Sequence, residues 1–339
     1  MKIIITGGAG FIGSNAASRY LQRGDHVVVI DNLSRAGVVR NLEWLKRQGQ
    51  LTFLKLDICN QRHVAEAFQA HADAGLVLHL AGQTAVTTSV SDPRADFEAN
   101  ALGTFNVLEA VRAASITAPL IYSSTNKVYG GMEDANLIEQ EDRYAYADFP
   151  LGVSEDRTLD FHSPYGCSKG AADQYVRDYH RIYGLNTVVF RQSCVYGYRQ
   201  FGAEDQGWVA WFTIAAQMNQ PITIYGDGKQ ARDILFIDDL LDAYDAAAAQ
   251  IQKSAGRVYN IGGGPENVLS LLNLLAYLEQ KQGRPIARKS DRWRPGDQKV
   301  YVSDISRARG ELGWSPKFNC EQGLELLYEW VFQHERLFR

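Results

Sequence analysis

A doubly wound parallel α/β sheet with a smaller C-terminal lobe is the fold this sequence predicts, on three observations. The apolar run Ile3-Ile4-Ile5 leads straight into the glycine turn Thr6-Gly7-Gly8-Ala9-Gly10-Phe11-Ile12-Gly13. Short aliphatic and β-branched runs then alternate with longer helical patterns as far as about residue 190. Beyond that point the texture changes to longer loops, aromatics and turns such as Tyr225-Gly226-Asp227-Gly228 and Gly262-Gly263-Gly264-Pro265, as in regions that carry recognition. The expected division is 1–190 for the sheet domain and 191–339 mostly for the second lobe, with some segments returning to the first.

Strand, glycine turn and helix in that order build a cradle for a pyrophosphate. Gly7 permits the tight turn, Gly10 lets the backbone approach the phosphates, and Gly13 lets the new helix pack close to the strand. Phe11 and Ile12 open that helix, whose free N–H groups and dipole favour an anion. The second strand, 26–30, ends in Asp31, about where a carboxylate accepts from the adenosine ribose hydroxyls. A carboxylate there repels a 2′-phosphate and favours NAD over NADP, with Arg35 and Arg40 weighing the other way; Asn32, Ser34 and Arg35 share the cofactor loop. Residues 51–56, 76–79, 120–122 and 186–190 read as further strands. Helical patterns run from 96 to 114 and onward from Ser163-Pro164, an N-cap followed by a proline in the first turn. The polar, acidic segment 131–162 has no sustained period, which predicts a long ordered loop or lid.

Composition excludes several classes. An apolar fraction of 45%, a charged fraction of 22% and a net charge of −4 describe an ordinary globular protein without the basic footprint of a nucleic-acid binder. No uncharged apolar stretch reaches the ~18 residues that span a bilayer. A first strand at residue 3 leaves no room for a signal peptide, so cytoplasmic residence is expected. Cys59, Cys167, Cys194 and Cys320 stand far apart without CxxC or His-rich spacing, so neither a disulfide framework nor a metal site is expected.

The chemistry lies in two motifs. Strand 120–122 runs into Ser123-Ser124-Thr125, and further on comes Tyr165-Gly166-Cys167-Ser168-Lys169, which puts a Tyr and a Lys one helical turn apart on one face. Beside a nicotinamide the ammonium is expected to favour tyrosinate, pulling the phenol from ~10 toward ~7. Tyr165 is then a general base for a sugar hydroxyl, and Thr125 hydrogen-bonds the same oxygen. Tyr277-Leu278-Glu279-Gln280-Lys281 has the same spacing and reads as a surface helix; position after a strand end in the dinucleotide fold distinguishes Tyr165.

With these motifs the sequence resembles the extended short-chain dehydrogenase/reductases that act on nucleotide sugars, over nearly the whole chain. The resemblance implies a catalytic set of Thr125, Tyr165 and Lys169 and a tightly held NAD that is not consumed. It also implies that Asp57 and Ile58 contact adenine, that Leu80, Ala81 and Gln83 border the cofactor, and that Asn100 supports the site. Taken singly, Asp57 also reads as a helix cap and Asn100 as a partner for backbone groups.

Family 4,6-dehydratases carry Asp-Glu after the threonine, because elimination of water needs a carboxylic acid and a carboxylate. Here Asn126 and Lys127 stand there, which disfavours dehydration, and the small residues usual in 4-epimerases are missing too. Cys194 departs from the asparagine common at its position. Lys127 either lines the cavity or points to solvent.

Three longer strings, residues 123–130, 162–175 and 205–208, resemble the branch of the family that epimerises CDP-hexoses at C2. That resemblance implies oxidation to a 2-keto sugar and re-reduction on the opposite face. The alternatives are 4-epimerisation of a UDP- or GDP-hexose and, from another class, a non-catalytic NAD-binding module. Arg232 and Arg294 match diphosphate clamps, with surface ion pairs as the other reading. Gln206 and Trp208 wall the base or, for Trp208, fill the core; Gln192 and Ser193 reach the carboxamide or substrate; His162 reaches the sugar or serves the helix start. Gln83, Thr125 and Asn126 complete the expected substrate contacts. A homodimer or higher homo-oligomer follows from family analogy, with no nucleic-acid, membrane or metal partner.

Overall fold

The computed structural model describes residues 1–294 and 297–339. Seven strands form one parallel sheet: β1 (Lys2–Thr6), β2 (His26–Asp31), β3 (Leu51–Lys55), β4 (Leu76–His79), β5 (Leu120–Thr125), β6 (Thr187–Gln192) and β7 (Val258–Ile261). Their spatial order is β7-β6-β5-β4-β1-β2-β3. The chain winds outward from β1 to β3 and returns to β4 on the other side of β1, so a crevice opens where β1 and β4 part at their carboxyl ends. Alternate residues feed two cores, as the strand period of two requires. Ile3, Ile5, Val27, Val29 and Leu78 pack on one face. Ile4, Val28, Ile30, Val77 and Tyr122 pack on the other.

Two strands run further than their aliphatic stretches suggest. Ser123, Ser124 and Thr125 stay in the ladder because each pairs in register with β6, Thr125 opposite Gln192. The helical pattern from 96 to 114 is three pieces: Pro93–Phe97, a π-helical turn Glu98–Leu102, and Gly103–Ala113. Asp92 caps the start, accepting from the Ala95 amide at 3.0 Å. The wider turn falls at Asn100, and such bulges gather at functional sites. Segment 131–162 is ordered and holds a short hairpin, Leu137–Glu139 with Tyr144–Tyr146; strands this short show no period in sequence. The segment docks through Val153, whose amide donates to the Val302 carbonyl at 2.8 Å.

In the C-terminal half, the strand Ala231–Phe236 pairs with Val268–Ser270, Val300–Tyr301 and Cys194–Tyr196. β7 leaves this region to complete the main sheet beside β6. Tyr277 lies on the helix Leu271–Gln282, where its hydroxyl donates to Glu325 at 2.9 Å and Lys281 pairs with the same carboxylate. Among the described residues no helix is long and apolar enough to cross a membrane.

Candidate active site

The glycine turn closes the crevice at the end of β1. Gly7 has φ +67°, and a Cβ there would stand 2.7 Å from the Ala81 amide nitrogen. A Cβ on Gly13 would stand 2.2 Å from the Gly7 carbonyl oxygen, so the helix Phe11–Gln22 meets the turn at a distance only glycine allows. Gly10, at the helix N-cap, makes no side-chain capping bond, so no side chain takes up the first-turn N–H groups of Phe11 and Ile12 there. Asp31 braces this turn from β2, accepting from the Ala9 amide at 3.0 Å and the Leu33 amide at 2.8 Å. Burial raises its carboxyl pKa above the usual range.

The rest of the cradle is linked to these residues. Asn32 donates to Asp57 at 2.9 Å and accepts from the Ser34 amide at 3.0 Å. Asp57 also accepts from the Cys59 amide, so it serves the turn ahead of the helix Gln61–Ala70 as well as facing Asn32. Ile58 is buried beside Gly103. The Leu80 and Ala81 amides both donate to the Thr6 hydroxyl, at 3.2 and 3.3 Å. A narrow glycine turn, an uncapped helix start and a carboxylate at the end of β2 fit a dinucleotide with an unsubstituted ribose 2′-hydroxyl.

The reactive groups sit at the ends of β5 and β6. Tyr165 and Lys169 lie on the helix Ser163–Tyr183, both buried. Ser163 has a left-handed backbone, φ 66°, strained for a residue other than glycine, and its hydroxyl accepts from the Gly166 amide at 3.3 Å. The predicted lowering of the Tyr165 phenol is not found. Burial pushes it up to about 12, with Asp96 adding to the rise and Thr125 and Arg35 opposing it. Lys169 donates to the Ser123 carbonyl and lies 4.4 Å from the centre of the Tyr122 ring. Burial pulls its ammonium down to about 7 against the opposing pull of Asp173 and Asp96. The two pKa values are thus driven apart, chiefly because burial disfavours both charged forms.

Behind them lies a buried polar framework of which sequence reasoning named Asn100, Gln192 and Ser193 but missed Asp96, Ser124, Ser168, Asp173 and Arg191. Arg191 donates from Nε and Nη2 to the two oxygens of Asp173, at 2.9 and 3.1 Å, and from Nη1 to Tyr129. Ser124 also donates to Asp173, at 2.9 Å. This ties β5, β6 and the helix Ser163–Tyr183 together; the only sequence signal was charge within an apolar strand and within a helix face. Asn100 donates to Asp96 and Ser168, each at 3.1 Å. Gln192 accepts from Ser123 at 2.9 Å and donates to Tyr244 at 2.7 Å, and Ser193 donates to Asp233. Those side chains are committed within the protein.

Lys127 turns inward, which answers the question the sequence left open. Its Nζ donates to Gln298 at 3.2 Å, and Arg232 donates to the Gln298 and Ala231 carbonyls at 2.6 and 2.8 Å. Among the described residues neither cation has a carboxylate within ion-pair distance. Burial, then Arg232, pulls Lys127 down to about 8. Cys194 faces the same cations, and burial raises its thiol pKa. Asn126 is buried and accepts from Thr125 at 3.3 Å. Trp208 opens the helix Trp208–Gln217 and packs edge-on against Phe212. Gln206 and Arg35 bond each other and Thr84, closing the loop over the cofactor side. Gln83 folds onto Ala85, donating at 2.6 Å. Among the described residues Arg294 has no ion-pair partner; it stacks 3.7 Å over the Tyr225 ring and donates to the Glu204 carbonyl. His162 is exposed at the start of the helix Ser163–Tyr183.

This sheet, its glycine cradle and the Thr125, Tyr165 and Lys169 set define an extended short-chain dehydrogenase/reductase. The chain belongs to the GDP-mannose 4,6 dehydratase family, whose model matches residues 4–327. It is 48% identical to the CDP-paratose 2-epimerase of Salmonella typhi over 98% of this chain and 99% of that protein. The structure of the UDP-glucose 4-epimerase of Thermotoga maritima with UDP-glucose matches it with a TM-score of 0.84 at 31% identity, covering 98% of this chain and 99% of that one. The UDP-glucuronic acid 4-epimerase of Bacillus cereus, in complex with UDP-glucuronic acid and NAD, gives 0.82 at 31% identity, with 98% and 99% covered.

Proposed function

We propose that this protein is an NAD-dependent nucleotide-sugar 2-epimerase acting on a CDP-hexose of the paratose/tyvelose type, with CDP-glucose and CDP-mannose as further candidates. The observation that carries the reading is the residue pair after Thr125: a buried Asn126 and an inward Lys127 that shares Gln298 with Arg232, where dehydration would need two carboxylates. The 48% identity to a CDP-paratose 2-epimerase points the same way.

The cradle Gly7, Gly10 and Gly13 holds the pyrophosphate of NAD, with Asp31 toward the ribose. Bound NAD supplies a hydride acceptor and donor, so that a sugar oxidised at C2 can be reduced again on its other face with no net redox change. Tyr165 takes the proton of the C2 hydroxyl and later returns it, which closes the proton balance. Thr125 holds the same oxygen, and the Lys169 ammonium favours the phenolate as the proton leaves. Arg232, Lys127 and, at the rim, Arg294 hold the diphosphate and leave the hexose free to turn.

On this reading residues 1–190, completed by the returning β7, form the cofactor domain, and most of 191–339 the nucleotide-sugar lobe. The enzyme works in the cytoplasm as a homodimer. Exposed apolar side chains on the helices beside the catalytic pair, Phe97, Leu102, Tyr175 and Ile182, support that assembly.

The solved 4-epimerases of the same fold favour one rival, chemistry at C4 of a UDP- or GDP-hexose. Isotope effects separate the two. A CDP-sugar deuterated at C2 is expected to turn over more slowly than the unlabelled one, and a C4-deuterated one at the same rate; the reverse pattern assigns C4.

A further inference from the structure

A carboxylate that the proposed mechanism does not use lies directly behind its proton carrier. Asp96, on Pro93–Phe97, is fully buried. Among the described residues no cation pairs with it. Ionised burial without an ion pair is costly, and a group held at that cost beside a reactive pair is a candidate for function.

Its partners are specific. The Ser168 hydroxyl donates to one Asp96 oxygen, and Asn100 Nδ2 donates to the other at 3.1 Å. With its one proton committed, Ser168 accepts from Asn100 Nδ2, also at 3.1 Å. The Asn100 amide nitrogen is thereby fixed, and Oδ1 is turned the other way, buried and without a partner. A Cβ on Gly82 would lie 2.6 Å from that oxygen and 3.8 Å from Lys169 Nζ, so the carbonyl oxygen and the ammonium flank the same gap.

We propose that Asp96 is a positioning residue for the Tyr165/Lys169 pair: its carboxylate orients Ser168 and Asn100 behind the pair and acts as a counter-charge for the Lys169 ammonium. This rests on the epimerase reading above. Lys169 is faced by Asp96, by Asp173 on its own helix, by the Tyr122 ring of β5 and by His79 of β4. Tyr165 is faced by Thr125, Asp96 and Arg35. Asp173 already shares its charge with Arg191 at 2.9 Å, which leaves Asp96 as the carboxylate without another cation. Removing that charge makes the ammonium easier to lose and the phenol easier to ionise. Both changes move the working range toward lower pH.

Asp96→Asn keeps the shape and removes the charge. Two readouts apply: the pH profile of kcat, and the titration of Lys169 followed by 13C NMR in protein labelled at lysine Cε, with the signal assigned through Lys169→Met. Wild-type Lys169 is expected to titrate near 7, and in Asp96→Asn both titration and profile move down by on the order of one unit. Ser168→Ala keeps the charge but removes a donor, so Asp96 itself protonates at higher pH and the acidic limb moves up. Lost activity with an unmoved profile and an unmoved Lys169 signal would mean packing alone and overturns the proposal. Should Asp96→Asn fail to fold, an acidic limb that stays in place in Ser168→Ala overturns it. A wild-type protein inert toward every nucleotide sugar counts against the epimerase reading instead, and the Lys169 titration still decides the role of Asp96.

Discussion

Lys127 and Arg232 converge on a single residue, the lysine on the Gln298 side chain at 3.2 Å and the arginine on its backbone carbonyl at 2.6 Å. Their like charges repel, a repulsion that Asp297 partly offsets at Lys127, and together they favour an anion. On the proposed function, the diphosphate of a nucleotide sugar meets that need. Losing one charge-assisted contact costs about 1.5–3 kcal/mol. Lys127→Met is therefore expected to raise KM on the order of 10- to 100-fold while kcat falls much less. Because Lys127 sits near 8, KM for the wild type should also climb above that pH as the ammonium is lost, and this climb should vanish in the variant. Steady-state kinetics across pH 6.5 to about 9.5 checks both expectations.

Tyr165→Phe removes the proposed proton carrier and leaves the ring buried. A general acid–base group contributes about 100- to 10,000-fold, so turnover should fall by at least about 100-fold while circular dichroism and thermal unfolding stay close to wild type. Near-normal turnover would remove Tyr165 from the mechanism.

Gly13→Ala tests the cradle. Its Cβ would meet the Gly7 carbonyl at 2.2 Å, which forces turn and helix apart and misaligns the phosphate-binding N–H groups. The variant should purify with little or no dinucleotide, read from the nucleotide released on denaturation, whereas wild type should release about one NAD per chain.

His79 gives a stability prediction with a definite sign. The Thr104 hydroxyl donates to the Asn100 carbonyl at 2.6 Å, so it accepts from His79 Nε2–H at 3.0 Å, and Nδ1 accepts from Thr6 at 2.7 Å. The ring is thus neutral, and burial holds its pKa down at about 3 against an ordinary 6.5. Between those values the unfolded chain binds the extra proton, so stability falls as pH drops through that window. Urea unfolding at pH 7 and pH 4.5 should show a loss of about 2 kcal/mol from this residue. His79→Gln should be less stable at pH 7 and should lack that component of the acid loss.

The sheet was legible because parallel strands buried on both faces read as plain aliphatic runs, and the cradle because Gly7 and Gly13 occupy positions that only glycine fits. That Thr125 would stand at a strand end and Tyr165 and Lys169 on one helix beside it was legible from spacing combined with place in the fold. The polar framework was not. Asp173 with Arg191, and Asp96 with Ser168, join residues 18 and 72 positions apart, and side-chain pairing over such separations leaves no period. The phenol pKa was misread for a related reason. Spacing shows that an ammonium is near, but burial, which dominates, is a tertiary property. Lys127 was undecidable because its direction depends on Gln298 and Arg232, both far along the chain.

The most direct test of the account is proton NMR of the purified protein, with no NAD added, incubated with CDP-paratose, CDP-glucose, UDP-glucose and GDP-mannose while the anomeric and H2 signals are followed. The account predicts a C2-inverted product from a CDP-sugar, formed by retained cofactor. Inversion at C4, or no change with any of the four, would contradict it.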